Sequence, residues 1–194
     1  MEYPQFFTEI EHIVLKDELS EFLGTSKDGK IDISYLEIVK MAGHSCATVA
    51  GAYLMAKEGL KALYGNETPK RGEIKIELGG TLEDNTGVVA LVLSNITGAT
   101  DNMGFLGVMG KYNRRGLLFY GANINSNVRF TRLDTNKSVE INYNPQNIVS
   151  PGEIMQSAIG PNATAETRST FGARWQEMVK TVLENADSVI EIVN

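Results

Sequence analysis

NVRFTRLDTNKSVEINYN, residues 127–144, decides the fold class. Val128, Phe130 and Arg132 alternate with Arg129 and Thr131, the period of two that turns one face of a strand inward. DTNK (134–137) supplies a turn, and Val139, Ile141 and Tyr143 alternate back, which predicts a β-hairpin. Upstream, EIKIELG (73–79) alternates charged and apolar residues and reads as a half-buried strand. RGLLFYG (115–121) reads as another. GVVALVLSNI (87–96) fits a buried helix or a buried strand, because a short apolar run does not separate them by period.

Helices flank these strands. Apolar residues among acids over 5–23 recur at roughly helical spacing, and GTSKDGK (24–30) is turn chemistry. ISYLEIVKMAG (33–43) predicts a short helix ended by Gly43. SCATVAGAYLMAKEGLKALYG (45–65) predicts the best helix of the first half, stopping at Gly65. Gly51 and Gly59 weaken its propensity, so a close packing partner is expected. In SPGE (150–153), Ser150 is a helix cap with Pro151 at the first position and Glu153 at the third. A long helix then fits 164–190, with Phe171, Trp175, Met178, Val179, Val182 and Leu183 on one face. Helices, then strands, then helices make the class α+β. A break near 145–150 divides a core, residues 1–148, from a C-terminal helical extension, residues 149–194.

The chain has 194 residues, 42% of them hydrophobic, and a net charge of −6. That suffices for a real core without disulfides, and the single cysteine, Cys46, excludes an internal one. No basic cluster exceeds two residues, which argues against a nucleic-acid surface. The start, MEYPQFFTEIEHIV, lacks the features of a signal peptide, and no apolar run is long enough to span a bilayer. The expectation is a cytoplasmic protein with no membrane partner. The apolar stripe of the C-terminal helix suggests a homodimer.

Chemistry concentrates at Gly43-His44-Ser45-Cys46. The expected helix start places Cys46 in a first turn, where unpaired N–H groups favour a thiolate. Imidazole and thiolate both bind zinc, and Gly43 frees the backbone to bring the side chains together. His44 alternatively serves as base to a nucleophilic Cys46, or Cys46 is simply a small core residue. Gly104, Gly107 and Gly110 form neither a P-loop nor GxGxxG. They read as a loop of close backbone approach, or as part of an apolar ligand pocket of Met103, Phe105, Val108 and Met109 bordered by Lys111 and Tyr112.

GHSCATVAGAYLMAKEGL (43–60) resembles the opening motif of the FmdE family, which takes its name from a component of formylmethanofuran dehydrogenase. That motif is Gly-His-x-Cys-Pro before a helix with an internal glycine; Gly43, His44, Cys46 and Gly51 match. NITGATDN (95–102) resembles the family's Thr-Gly-Cys-Thr stretch through Thr97, Gly98 and Thr100, and MGKYNRRGLLFYG (109–121) its Gly-Lys segment through Gly110 and Lys111. The likeness covers roughly residues 33–143. Ala47 stands where the family has proline and Ala99 where many members have cysteine, and there is no C-terminal zinc finger.

The resemblance implies a mixed or antiparallel sheet packed by helices, with His44 and Cys46 facing a metal-accessible cleft. Zinc, or another divalent transition metal, is the cofactor it suggests. The missing ligand is then an oxygen, with Asp84, Asn85 and Thr86 nearest by position, and Asp84 is taken as the third metal ligand. Gly43, Thr97, Thr100, Asp101, Lys111 and Tyr112 are the expected pocket for a small-molecule ligand. The implied role is a metal-binding accessory or carrier protein with a link to one-carbon metabolism. The alternatives are a small metal-dependent enzyme with an open coordination position, and a pocket protein whose metal site has decayed.

Overall fold

The computed structural model describes residues 2–193. Its centre is the helix α3 (Ala47–Tyr64), preceded by β1 (Ile13–Lys16), α1 (Glu18–Phe22), β2 (Lys30–Ile33) and α2 (Tyr35–Ala42). There follow β3 (Ile74–Leu78), α4 (Thr86–Thr97), β4 (Leu118–Phe119), and the hairpin β5 (Val128–Arg132) and β6 (Ser138–Tyr143). The chain ends in α5 (Pro151–Ile159), α6 (Ala165–Ser169), α7 (Phe171–Glu184), α8 (Ala186–Val189) and β7 (Ile190–Val193). The fold is α+β: a five-stranded sheet ordered β4-β3-β5-β6-β7 and a separate pair β1-β2. Among these strands only β3 and β4 run parallel.

Alternation along the hairpin and β3 sorts the two faces of the sheet. Ile76, Phe130 and Val139 lie in one cross-strand row and are buried. The opposite face carries ion pairs, Lys75 to Glu77 at 3.1 Å and Arg129 to Glu140. α3 lies on the inner face because its glycines admit the sheet's aromatic side chains. A Cβ at Gly51 would come 2.3 Å from the Tyr143 ring, and one at Gly59 would come 2.9 Å from Phe130. The helix propensity lost at these two positions is offset by ring contact that no larger residue permits. α4 covers α3 through Ala90, Val92, Leu93 and Ile96, which settles residues 87–96 as helix.

Three sequence expectations need correction. Residues 5–23 are not one helix but a short 3-10 turn (Gln5–Thr8), β1 and α1. Ile13 and Leu15 point inward on a strand paired with β2, and Asp17 then caps α1. The expected strand at 115–121 is paired only at Leu118–Phe119. The helix expected over 164–190 is broken at Thr170 and Asn185, and Ile190–Val193 forms β7 on the edge beside β6. Residues 149–193 therefore supply a strand to the sheet, and α7 packs its buried Met178, Val179, Val182 and Leu183 into the core. Among the described residues no helix is long and apolar enough to cross a membrane.

Candidate functional site

The segment between α2 and α3 is built as a rigid corner. α2 ends at Gly43, whose φ of 76° is the left-handed turn that closes a helix. Cys46 is the N-cap of α3, one residue before the first turn, and its Sγ accepts the Val49 N–H at 3.4 Å. Ser45 is buried between them. Its hydroxyl meets the Tyr35 hydroxyl at 2.9 Å, and its carbonyl accepts from Trp175 Nε1 at 3.1 Å and Gln176 Nε2 at 3.2 Å. α7 thus anchors the corner from 130 residues away in sequence.

His44 is exposed, with Nδ1 3.0 Å from the Ala42 carbonyl. A carbonyl only accepts, so Nδ1 carries a proton, and in the neutral ring the lone pair is then on Nε2. Tyr143 closes the other side, donating to the Ala47 carbonyl at 2.7 Å. Burial pushes the Tyr143 hydroxyl up, with Cys46 and Tyr35 adding to it, so it stays a donor at neutral pH.

Next to this corner, a cavity of about 320 Å³ opens between the first turns of α3 and α4. Thr48 of α3, Asp84, Asn85 and Thr86 at the start of α4, and Asn127 supply its polar lining. Met55, Leu78, Val89 and Tyr143 supply the apolar wall. Asp84 is held by the Thr86 N–H at 2.6 Å and the Thr81 N–H at 3.2 Å. The bonds from Thr86 keep its carboxyl below the usual range. Gly80 makes room for this turn, since a Cβ there would lie 2.0 Å from Thr86 Oγ1 and 2.8 Å from Asp84 Oδ2. Asn127 accepts the Tyr143 N–H at 2.7 Å through Oδ1, which fixes the amide and leaves Nδ2 as a donor.

The corner and cavity bring together only part of the expected site. Asp84, Asn85 and Thr86 do share a cavity with the first turn of α3. His44 and Cys46 are not among its lining residues. Among the described residues, no three His, Cys, Asp or Glu side chains cluster closely enough to hold a metal ion. Zinc needs at least three protein donors, and Asp84 is committed to the α4 turn, so these residues do not fit a resident zinc ion within one copy.

The expected small-molecule pocket is dispersed. Gly43 lies at the corner. Thr97 ends α4, about 17 Å along the helix from Thr86 at 1.5 Å per residue, and Thr100 lies three residues further on. Thr97 is buried and donates to the Leu93 carbonyl at 2.7 Å. Thr100 donates to the Arg114 carbonyl at 2.7 Å, and Asp101 accepts the Met103 N–H at 3.3 Å. Lys111 and Tyr112 line a second cavity of about 380 Å³, together with Glu18, Glu73 and Asn113. Met103, Phe105, Val108 and Met109 are exposed.

Beside that second cavity stands a cluster with no sequence signal. Asp17 accepts from Arg114 Nη2 at 2.7 Å and from Arg71 Nη1 at 3.0 Å. Its partners are 54 and 97 residues away. A Cβ at Gly72 would lie 1.2 Å from Arg114 Nη1, so this glycine holds the guanidinium's berth.

Comparison with protein-family models and with curated proteins finds no match to this chain.

Proposed function

We propose that this chain is an FmdE-like pocket protein that binds a small polar molecule between the first turns of α3 and α4. The observation that carries the reading is the convergence of Thr48, Asp84–Thr86 and Asn127 on one 320 Å³ cavity. Polar groups set opposite an apolar wall are the usual build of a small-molecule site. The cavity holds one carboxylate and no lysine or arginine among its lining residues, which favours neutral or cationic ligands over anions. The link to one-carbon chemistry, like a place in the cytoplasm, is supported by sequence alone. The test is a ligand-observed NMR fragment screen against wild type and the pair Thr48→Val and Asn127→Ala. Neutral or cationic fragments that bind wild type and are released by both variants support the reading. Hits that bind all three proteins equally overturn it.

A second reading keeps the metal. His44 offers an exposed Nε2 with its tautomer set by the Ala42 carbonyl, the arrangement in which histidine commonly ligates through Nε2. Cys46, half-buried two residues on, would supply the second donor, and two donors suit passing a zinc ion on rather than retaining it. Elemental analysis of untagged protein purified without chelators is the measurement. Metal present in wild type and lost in Cys46→Ala supports a carrier. None in either, after zinc is offered, sinks it.

A further inference from the structure

The second cavity, of about 380 Å³, draws its lining from three distant parts of the chain. These are the start of α1 with Glu18, the segment ahead of β3 with Glu73, and the arm of residues 102–116 that follows α4. The arm is held in place. At its neck Thr100 bonds the Arg114 backbone, and Arg114 reaches Asp17, the cap of α1. Its tip is a small exposed hairpin, with Val108 and Lys111 exchanging backbone hydrogen bonds of 2.9 and 3.0 Å. Tyr112 then stacks on Phe22 of α1, with ring centroids 5.5 Å apart. The arm is thus tied to α1 at two points, and the cavity that they line is pre-formed, as small-molecule sites usually are.

The charges of this cavity lack partners. Glu18, Glu73 and Lys111 are the charged residues of its lining. Among the described residues none of the three makes a hydrogen bond or an ion pair through its charged group. Glu18 and Lys111 are exposed and solvated, but Glu73 is half-buried. Burial, and then the charge of Glu18, raises its carboxyl. Lys70 and Arg114 act on Glu73 in the other sense but are engaged elsewhere, Lys70 with Asp134 at 3.9 Å and Arg114 with Asp17 at 2.7 Å. An unpartnered, partly buried carboxylate opposes folding, and such departures from good packing concentrate where a protein binds something.

The signs of these charges restrict what that is. Leu117 and Leu133 are the only aliphatic side chains in the lining, so the cavity is built for a polar molecule. A simple anion would meet two carboxylates, and a simple amine would meet the Lys111 ammonium. Lys111 pairs with neither carboxylate, so both signs stand open in one cavity, and a ligand that carries both signs answers them together. We propose that this cavity binds a free α-amino acid, its ammonium group held by Glu73 and Glu18 and its carboxylate by Lys111. All three charges then gain charge-assisted hydrogen bonds. The site shares no lining residue with the α3–α4 cavity, so it stands whatever that cavity binds.

Ligand-observed NMR on the full chain, with each standard amino acid at millimolar concentration, is the first test. At least one should bind wild type, and its affinity should fall roughly ten-fold or more in Glu73→Gln and in Lys111→Met. Glutamine keeps the shape of Glu73 and Lys111 is exposed, so an undiminished melting temperature separates lost binding from lost fold. The proposal is overturned if no amino acid binds, or if either variant leaves the binding intact. Loss of binding in Thr48→Val would move the ligand to the α3–α4 cavity and overturn it too. Matched analogues then test the pairing of signs. The amine that lacks the carboxylate should bind wild type more weakly than the amino acid and gain from Lys111→Met. An amine that binds wild type as tightly as the amino acid overturns the role given to Lys111.

Discussion

Replacing Asp17 with alanine should cost more than any surface change on this chain. Asp17 is 3% exposed, and its carboxylate does three things at once. It caps α1 through the Leu19 and Ser20 N–H groups at 3.0 and 3.2 Å, holds Arg71, and holds Arg114. Losing a helix cap costs about 1 kcal/mol. Leaving a buried charge without its partner costs about 3–5 kcal/mol, and the Arg114 side chain is only 8% exposed. The expected total is about 5 kcal/mol, a large share of the ~5–15 kcal/mol by which domains are stable. For a chain of this length that lowers the melting temperature by roughly 15 °C.

The assay is thermal and urea unfolding of wild type, Asp17→Ala and Asp17→Asn. Asparagine keeps a cap acceptor and loses the charge, so it should fall between the other two. Adding Arg114→Met to Asp17→Ala should recover part of the loss, because the stranded cation is removed. Burial pushes the Asp17 carboxyl up, and the Arg71 bond and Arg114 charge pull it down further, leaving it below the ordinary range. Its stabilisation is thus present above the unfolded pKa of about 3.9 and is lost as pH falls through the lower folded value. The gap between wild type and Asp17→Asn should close in acid. A loss below about 1 kcal/mol in Asp17→Ala would refute the reasoning, since the cap alone accounts for that much.

Three further outcomes are expected. Gly51→Ala gains about 1 kcal/mol of helix propensity yet should destabilise, because the Tyr143 ring 2.3 Å from the new Cβ is pinned by its hydroxyl and backbone; a raised melting temperature would show that the ring can move. Cys46→Ser places a preferred capping residue at the start of α3, so stability should hold within about 1 kcal/mol while thiol labelling disappears. Burial, and then the charge of Glu18, raises the Glu73 carboxyl, so its ionised form opposes folding above the unfolded pKa. Glu73→Gln should therefore raise the melting temperature at pH 7 and leave it unchanged near pH 3, and equal effects at both pH values would exclude a charge origin.

Much of the fold was legible because local chemistry and tertiary role agree. The hairpin of β5 and β6 alternates as it packs, α2 runs from a Ser34 capping box to a left-handed Gly43, and α3 stops at Gly65. The misread parts are those where context overrode pattern. Residues 5–23 hold enough apolar side chains to imitate a helix, but Ile13 and Leu15 find partners in Ile33 and Ile31, seen only once β2 is folded. β7 carries two isoleucines at a spacing of two, a signal too short to outweigh the helical run before it. Its identity comes from the open edge of β6.

The site divides along the same line. The corner Gly43–Cys46 was visible because a left-handed glycine and a helix cap are local events. The surroundings of Asp84 were not, because they depend on how α4 lies on α3. Asp84 lines the cavity between the two helices, where the Thr86 and Thr81 N–H groups hold its carboxylate as a turn residue. The likeness at Thr97-Gly98-Ala99-Thr100 belongs to the far end of α4. There, one threonine bonds the last turn of the helix and the other ties the neck of the arm. The two matched stretches therefore work at opposite ends of α4, one beside a cavity and one beneath an exposed hairpin.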